Sequence, residues 1–151
     1  MILSLLVAAI LAQTPSTSAL LDSTDQGVPF NFVDDGLVVV PVRLNGHAGY
    51  KFLLDTGASH TILSTDVAGQ LRIPVGEPAT LTTVDGKIPI TIRMVDLVQI
   101  GDLKIRHAHI AVADWAMMRT LHVDGILGAD FLRPFKVSID YNRKLLTINP
   151  S

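Results

Sequence analysis

The segment Phe52-Leu53-Leu54-Asp55-Thr56-Gly57-Ala58-Ser59 runs an apolar strand into a carboxylate, a glycine and a group of small or hydroxyl-bearing residues. A strand end of this kind holds an acid on backbone support beside a turn, which suits proton transfer at Asp55. Asp, Thr and Gly are also common turn formers, so the tripeptide alone equally describes a capped strand end. Other candidate groups stand apart from it. His107 and His109 alternate along a predicted strand and so share one face, as metal ligands or simply as a solvated face. No cysteine, His-Glu-x-x-His motif or third ligand accompanies them, so neither a metal nor a cofactor is expected. His60 directly follows the loop, placed to tune the acid or touch a ligand, or else an ordinary surface histidine. Asp85, Asp114 and Asp124 are candidates for a second carboxylate, although each sits beside turn residues where Asp caps backbone groups. Trp115, Met117 and Met118 fit a pocket lining, a subunit interface or plain core packing. His47 and His122 carry no specific signal.

Paired with Val123-Asp124-Gly125-Ile126-Leu127-Gly128-Ala129-Asp130-Phe131-Leu132, the Asp55 segment says more. Together the two resemble the retropepsins and the wider bacterial family of retroviral-type aspartic peptidases, through Asp55-Thr56-Gly57 and Ile126-Leu127-Gly128 in that order. The resemblance implies that Asp55 is the catalytic aspartate, supported by Thr56, Gly57, Ala58 and Ser59. It further implies that Ile126, Leu127 and Gly128 form a bracing strand, followed by a short helix, threaded beneath the loop. Val84-Asp85-Gly86-Lys87 falls at the family's flap, a hairpin that closes over substrate, and Ser138-Ile139-Asp140-Tyr141 resembles its C-terminal strand and turn. The likeness spans residues 37–148. Two departures stand out. Ala129-Asp130 follows Gly128 where viral enzymes usually carry an arginine that ties the helix to the loop, and the hairpin turn lacks a glycine-rich tip.

Amide hydrolysis needs one group to take a proton from water and another to give one to the carbonyl oxygen or the departing amine. A solitary carboxylate does both poorly. Two carboxylates about 3 Å apart cannot both ionise, so they share a proton and supply an acid and a base together. The sequence holds a single Asp-Thr-Gly and no Asp-Ser-Gly, so the second carboxylate is expected from an identical chain across a twofold axis. By resemblance Thr56 would hydrogen-bond across that axis, and Gly57 would let backbone approach the carboxylates closely. The reading is an aspartic endopeptidase acting as a homodimer on a peptide or protein substrate. Its alternatives are a noncatalytic peptide-binding or assembly module on the same fold, which takes an extended peptide as an added strand, and a cell-envelope structural protein.

The elements that must position these groups are short strands. Residues 37–44 and 47–54 are strand-like runs joined by Asn45-Gly46, the dipeptide a type I′ turn favours. Asp85-Gly86 separates β-rich runs at 79–84 and 87–98, with Pro89 marking an edge or projecting strand. Residues 65–71 suit a short helix, 105–112 a strand, and 114–121 a loop or short helix; a last hairpin turns at Tyr141-Asn142. The fold class expected is all-β, a retropepsin-like acid protease fold: a closed barrel or sandwich of short strands with one short C-terminal helix.

The chain of 151 residues, 48% of them hydrophobic, fits one domain with a sizeable core. A net charge of -2 with no block of like charge disfavours a nucleic-acid partner, and the absence of cysteine excludes disulfides and thiol chemistry. Residues 2–12 are apolar except Ser4, too short a run for a spanning helix and suited to a signal-peptide core or a membrane tether, although no Lys or Arg precedes them. A docking helix is the plainer reading. We expect residues 1–19 to direct export, periplasmic or otherwise extracytoplasmic, residues 20–27 to be a linker, and residues 28–151 to form the domain.

Overall fold

Asn45 and Gly46 both take positive φ, 49° and 83°, the geometry of a type I′ turn, whose twist matches that of its flanking strands. They join β3 (Leu37–Leu44) to β4 (His47–Leu54), with Val39 opposite Leu53 and Pro41 opposite Lys51. Asn45 is also a fastening: its N–H donates to Leu97 O at 2.8 Å, and its Oδ1 accepts from the Leu97 N–H at 3.0 Å. There β7 (Gly86–Ile100) meets β3, Arg43 opposite Gln99 and Leu44 opposite Val98. With β5 (Ile62–Ser64), β8 (Leu103–Ala113) and β9 (Gly125–Leu127), the strands run β3-β4-β9-β5-β8-β7 and return to β3. That ring is the expected closed barrel. β2 (Asn31–Val33) adds to it beside β3, and β6 (Glu77–Thr83) beside β7.

The computed structural model describes residues 27–151; the expected leader at 1–19 and all but the last residue of the linker lie outside the described residues. Among the described residues no helix is long and apolar enough to cross a membrane. A smaller sheet of β1 (Val28–Pro29), β11 (Leu145–Pro150) and β10 (Phe135–Asp140) gathers the ends of this part of the chain, Val28 opposite Leu146. Three short helices, α1 (Thr65–Gln70), α2 (Ala116–Leu121) and α3 (Ala129–Leu132), fill the gaps between strands. Ser64 caps α1, its Oγ accepting the Val67 N–H at 3.2 Å.

Two-residue periodicity splits the apolar side chains into two cores. Val38, Val40, Val42 and Leu44 point into the barrel with Phe52, Leu63 and Leu127. On the other side of the same strands, Val39, Leu53, Ile62 and Ile126 join Ile90, Met118 and Leu121 in a second core. Each such fully buried side chain contributes about 1.5–3 kcal/mol. The second core is the floor under the Asp55 loop.

The hairpin of β6 and β7 turns at Val84-Asp85, and β8 first pairs with β7 at Thr91, opposite Val112. Residues 86–90 therefore have only β6 beside them and project as a two-stranded arm, which is where Pro89 falls. Strands β1, β2 and β5 were not legible in the sequence. Each spans two or three residues, too few for alternation to show; β1 and β5 exist because distant strands offer hydrogen bonds, and β2 because it turns back on β3.

β9 lies parallel to β4, Leu53 opposite Ile126, and antiparallel to β5, Ile62 again opposite Ile126. Both neighbours close tightly on Gly125: a Cβ there would stand 2.4 Å from the Phe52 ring and 2.6 Å from the Ile62 carbonyl oxygen. Gly125→Ala is therefore expected to destabilise the domain by roughly 1–3 kcal/mol through overpacking. Urea unfolding should show this as a lower midpoint with an unchanged slope.

Candidate active site

Asp55 follows the last residue of β4 and extends the parallel ladder, its N–H donating to Leu127 O at 3.0 Å. The chain then folds back on the carboxylate. The Gly57 N–H donates to Asp55 Oδ1 at 2.9 Å and the Ala58 N–H to Asp55 O at 3.2 Å. A Cβ on Gly57 would lie 3.2 Å from Asp55 Oδ1, so glycine gives the amide its close approach. Asp55 and Ala58 are half-buried, while Thr56, Gly57, Ser59 and His60 are exposed. A carboxylate held by a backbone donor yet open on one side keeps lone pairs for water or a second acid.

What braces the loop is a cluster around Thr61, which is only 2% exposed. Its N–H donates to both oxygens of Asp130 at 2.8 and 3.0 Å, and its hydroxyl donates to Asp130 Oδ1 at 2.8 Å. The same hydroxyl accepts the Gly128 N–H at 3.0 Å, and Asp130 Oδ1 also takes the Phe131 N–H at 2.7 Å. Ala129 N–H donates to Ala58 O at 2.7 Å, pinning the head of α3 to the loop. A Cβ on Gly128 would stand 2.5 Å from the His60 carbonyl, so only glycine lets the two segments meet this closely. The tie left open by the missing arginine is thus made by Asp130, from the other partner's side: a carboxylate accepts where a guanidinium would donate. Neither Thr61 nor Asp130 emerged from the sequence as a supporting residue. The available signal was an acid inside the first turn of the helix that follows Ile126-Leu127-Gly128.

Between the loop and the β6–β7 arm lies a groove of about 400 Å³, bordered by Asp55, Gly57, Ala58, Ser59 and His60 below and by Leu81, Thr82, Thr83 and Val84 above. Trp115 and Met117 form its side, with Ile62 at the base. Of the expected hairpin-tip residues only Val84 borders it, almost wholly exposed, while Asp85 and Gly86 lie outside. Thr83 locks the tip, its Oγ1 accepting the Asp85 N–H at 3.2 Å and donating to Gly86 O at 3.0 Å. Met118 faces the core instead. Ile126 and Leu127 are fully buried beneath, one in each core.

The other acids are occupied elsewhere. Asp124 Oδ2 accepts the Lys51 N–H at 2.8 Å, Asp114 pairs with Arg119, and Asp85 is at the arm's tip. Among the described residues Asp55 is the single carboxylate bordering the groove. His107 and His109 are exposed, and His107 has φ 55°, which interrupts the extended run that would align them on one face. Among the described residues no group of three or more His, Asp or Glu is placed to hold a metal ion.

The profile of a family described as aspartyl protease matches residues 40–131, from within β3 into α3. Among solved structures, a retropepsin-like aspartic protease from Rickettsia conorii is similar at TM-score 0.60 and 25% identity, over 82% of this chain and 88% of its own. The retroviral protease-like domain of Ddi1 from Leishmania major is similar at TM-score 0.54 and 24% identity, covering 74% and 87%. EIAV protease complexed with the inhibitor HBY-793 gives TM-score 0.53 and 23% identity, covering 68% and 91%. The last two bear on the fold alone, and all three share the retropepsin-like architecture. No curated protein sequence matches.

Thr61→Val keeps the shape of the brace and removes its hydroxyl, leaving the Gly128 N–H without a partner and Asp130 one donor short. A loss of about 1–3 kcal/mol in unfolding free energy is expected. A double-mutant cycle with Asp130→Ala should return a coupling of at least about 0.5 kcal/mol.

Proposed function

This chain belongs to the aspartyl protease family, and from that premise we propose that it is an endopeptidase active as a homodimer, with Asp55 of each copy sharing one proton across the twofold axis. The observation that carries the reading is the groove with a single carboxylate: a loop built to present an acid, beneath an overhanging arm, with no second acid among the described residues beside it. A lone ionised carboxylate is a weak base and no acid, whereas a second copy placed with its loop against the first completes the pair.

In the proposed reaction the ionised member of the pair takes a proton from a water held between the carboxylates. That water attacks the peptide carbonyl while the protonated member donates to the carbonyl oxygen. The tetrahedral intermediate collapses as the proton taken from water passes to the departing amine and a hydroxyl proton of the intermediate returns to the carboxylate that donated it, and no covalent bond to the enzyme forms. Backbone support from Gly57 fixes the carboxylate for both halves of the cycle, and Thr56, exposed beside it, is free to bond the partner's loop. The β6–β7 arm acts as the flap over an extended peptide, with Leu81, Val84, Trp115 and Met117 meeting its apolar side chains.

Asp55→Asn is expected to lower peptide cleavage by at least about a hundredfold, and wild-type rate per subunit should rise with protein concentration across the dimerisation range. Adding excess Asp55→Asn protein to dilute wild type should depress activity further, because mixed dimers carry one carboxylate. Activity belongs to the acidic side, where one of the two carboxylates keeps its proton, and it should fall as rising pH removes that proton. A wild-type protein that cleaves nothing at concentrations where sedimentation shows dimers would sink the proposal.

A further inference from the structure

Among the described residues His60 is the one titratable side chain besides Asp55 that borders the groove. Its side chain is 56% exposed, and its Nδ1 stands 4.0 Å from Asp130 Oδ2. Asp130 cannot swing away to meet it or leave it, because its oxygens are held by the Thr61 N–H, the Thr61 hydroxyl and the Phe131 N–H. A fixed carboxylate on one side of an imidazole attracts the nearer nitrogen and leaves Nε2, across the ring, for the groove. Among the described residues no hydrogen bond within the chain occupies either ring nitrogen. The loop thus holds an oriented but unsatisfied donor five positions beyond Asp55.

We propose that His60 is a specificity-determining residue that binds a carboxylate side chain of the substrate, placed to one side of the scissile bond. The preferred substrate is then a peptide with apolar residues at the bond and an Asp or Glu near it. This rests on the endopeptidase reading above, and a symmetric dimer would present one His60 on each side of the cleaved bond. A carboxylate gains a charge-assisted hydrogen bond from an imidazolium that an amide of the same shape does not. Asp130 keeps its negative charge, so the gain requires the substrate carboxylate to meet Nε2 on the side of the ring away from it. Among the described residues the other charged or titratable groups around are Asp55 on the same loop and His109 of β8, which borders a neighbouring pocket together with Asp130.

The test uses the full chain and paired peptides with a reduced, uncleavable bond between two apolar residues. Each pair differs by Glu or Gln at the second, third or fourth position on either side. Binding is read by fluorescence anisotropy at pH 5 and pH 8, the range of about pH 5 to 8 across which imidazole ordinarily changes charge. At one position or more, Glu should bind about tenfold tighter than Gln at pH 5, the scale of one charge-assisted hydrogen bond. The advantage should shrink towards parity at pH 8. His60→Gln should bring the pair to parity at both pH values, and His60→Lys should keep the preference for Glu at pH 8. Equal binding of every pair by wild type, no binding of either member, or a preference that survives His60→Gln would overturn the inference. Ordinary amide versions of the same peptides separate the two readings. Cleavage with no preference for Glu removes the role of His60 alone, whereas a binding preference with no cleavage removes the endopeptidase alone.

Discussion

A three-residue strand, β9, has to fit between the two strands that bracket the Asp55 loop, and the rest of the site follows from that fit. Parallel to β4 and antiparallel to β5, it takes hydrogen bonds from both sides and supplies Leu127 O to the Asp55 N–H. Gly125 and Gly128 at its two ends are where neighbouring atoms come closest, so the strand is narrow by composition. A side chain at either point would spread β4 from β5 and take the carboxylate off its support. Immediately beyond, α3 carries Asp130 back to Thr61, so the segment beneath the loop and the end of the loop itself are locked by one buried hydroxyl.

Two cores on opposite faces of the same strands give this arrangement its rigidity. The barrel core is closed at the Asn45 seam, where a turn residue doubles as a strand-to-strand fastening. The second core rests under the groove and extends to Ile90 near the base of the arm and to Met118 and Leu121 of α2. Floor and wall of the groove are therefore one packed unit. Beyond Thr91 each strand of the arm has a single neighbour, and among the described residues only Leu81, Ile88 and Ile90 tie it to the second core, leaving its tip exposed. Elements with few buried contacts open at low free energy, which on the endopeptidase reading suits a flap that must let a peptide in. The contrast between a held acid and a lightly held arm comes from where β8 stops.

On the endopeptidase reading, the incomplete charge arrangement of one chain is the reason for assembly. A groove with one carboxylate and an open face can bind an extended peptide, but acid and base catalysis together need the second carboxylate that symmetry supplies. Assembly and chemistry then share one surface, and the exposed Thr56 lies on it beside the half-buried Asp55.

Much of this was legible in the residues. Alternating apolar positions, Asn45-Gly46, Asp85-Gly86 and the paired Asp55-Thr56-Gly57 and Ile126-Leu127-Gly128 segments fixed the strand content, the hairpins, the family likeness and the identity of the candidate acid. Those signals are local, carried by periodicity and by turns that few residue types can make. Three things were decided only in the folded chain. β1, β2 and β5 are too short to have a pattern; β1 and β5 exist by pairing with strands far along the sequence, and β2 by folding back on β3. The brace of Thr61 and Asp130 joins residues 69 positions apart, and a threonine before an apolar run or an acid in a helix turn looks the same without its partner. Which side chains border the groove, Val84 but not Asp85, Met117 but not Met118, depends on how the arm and α2 pack over the loop. Spacing along the chain sets which face a residue takes; only tertiary packing sets what that face meets.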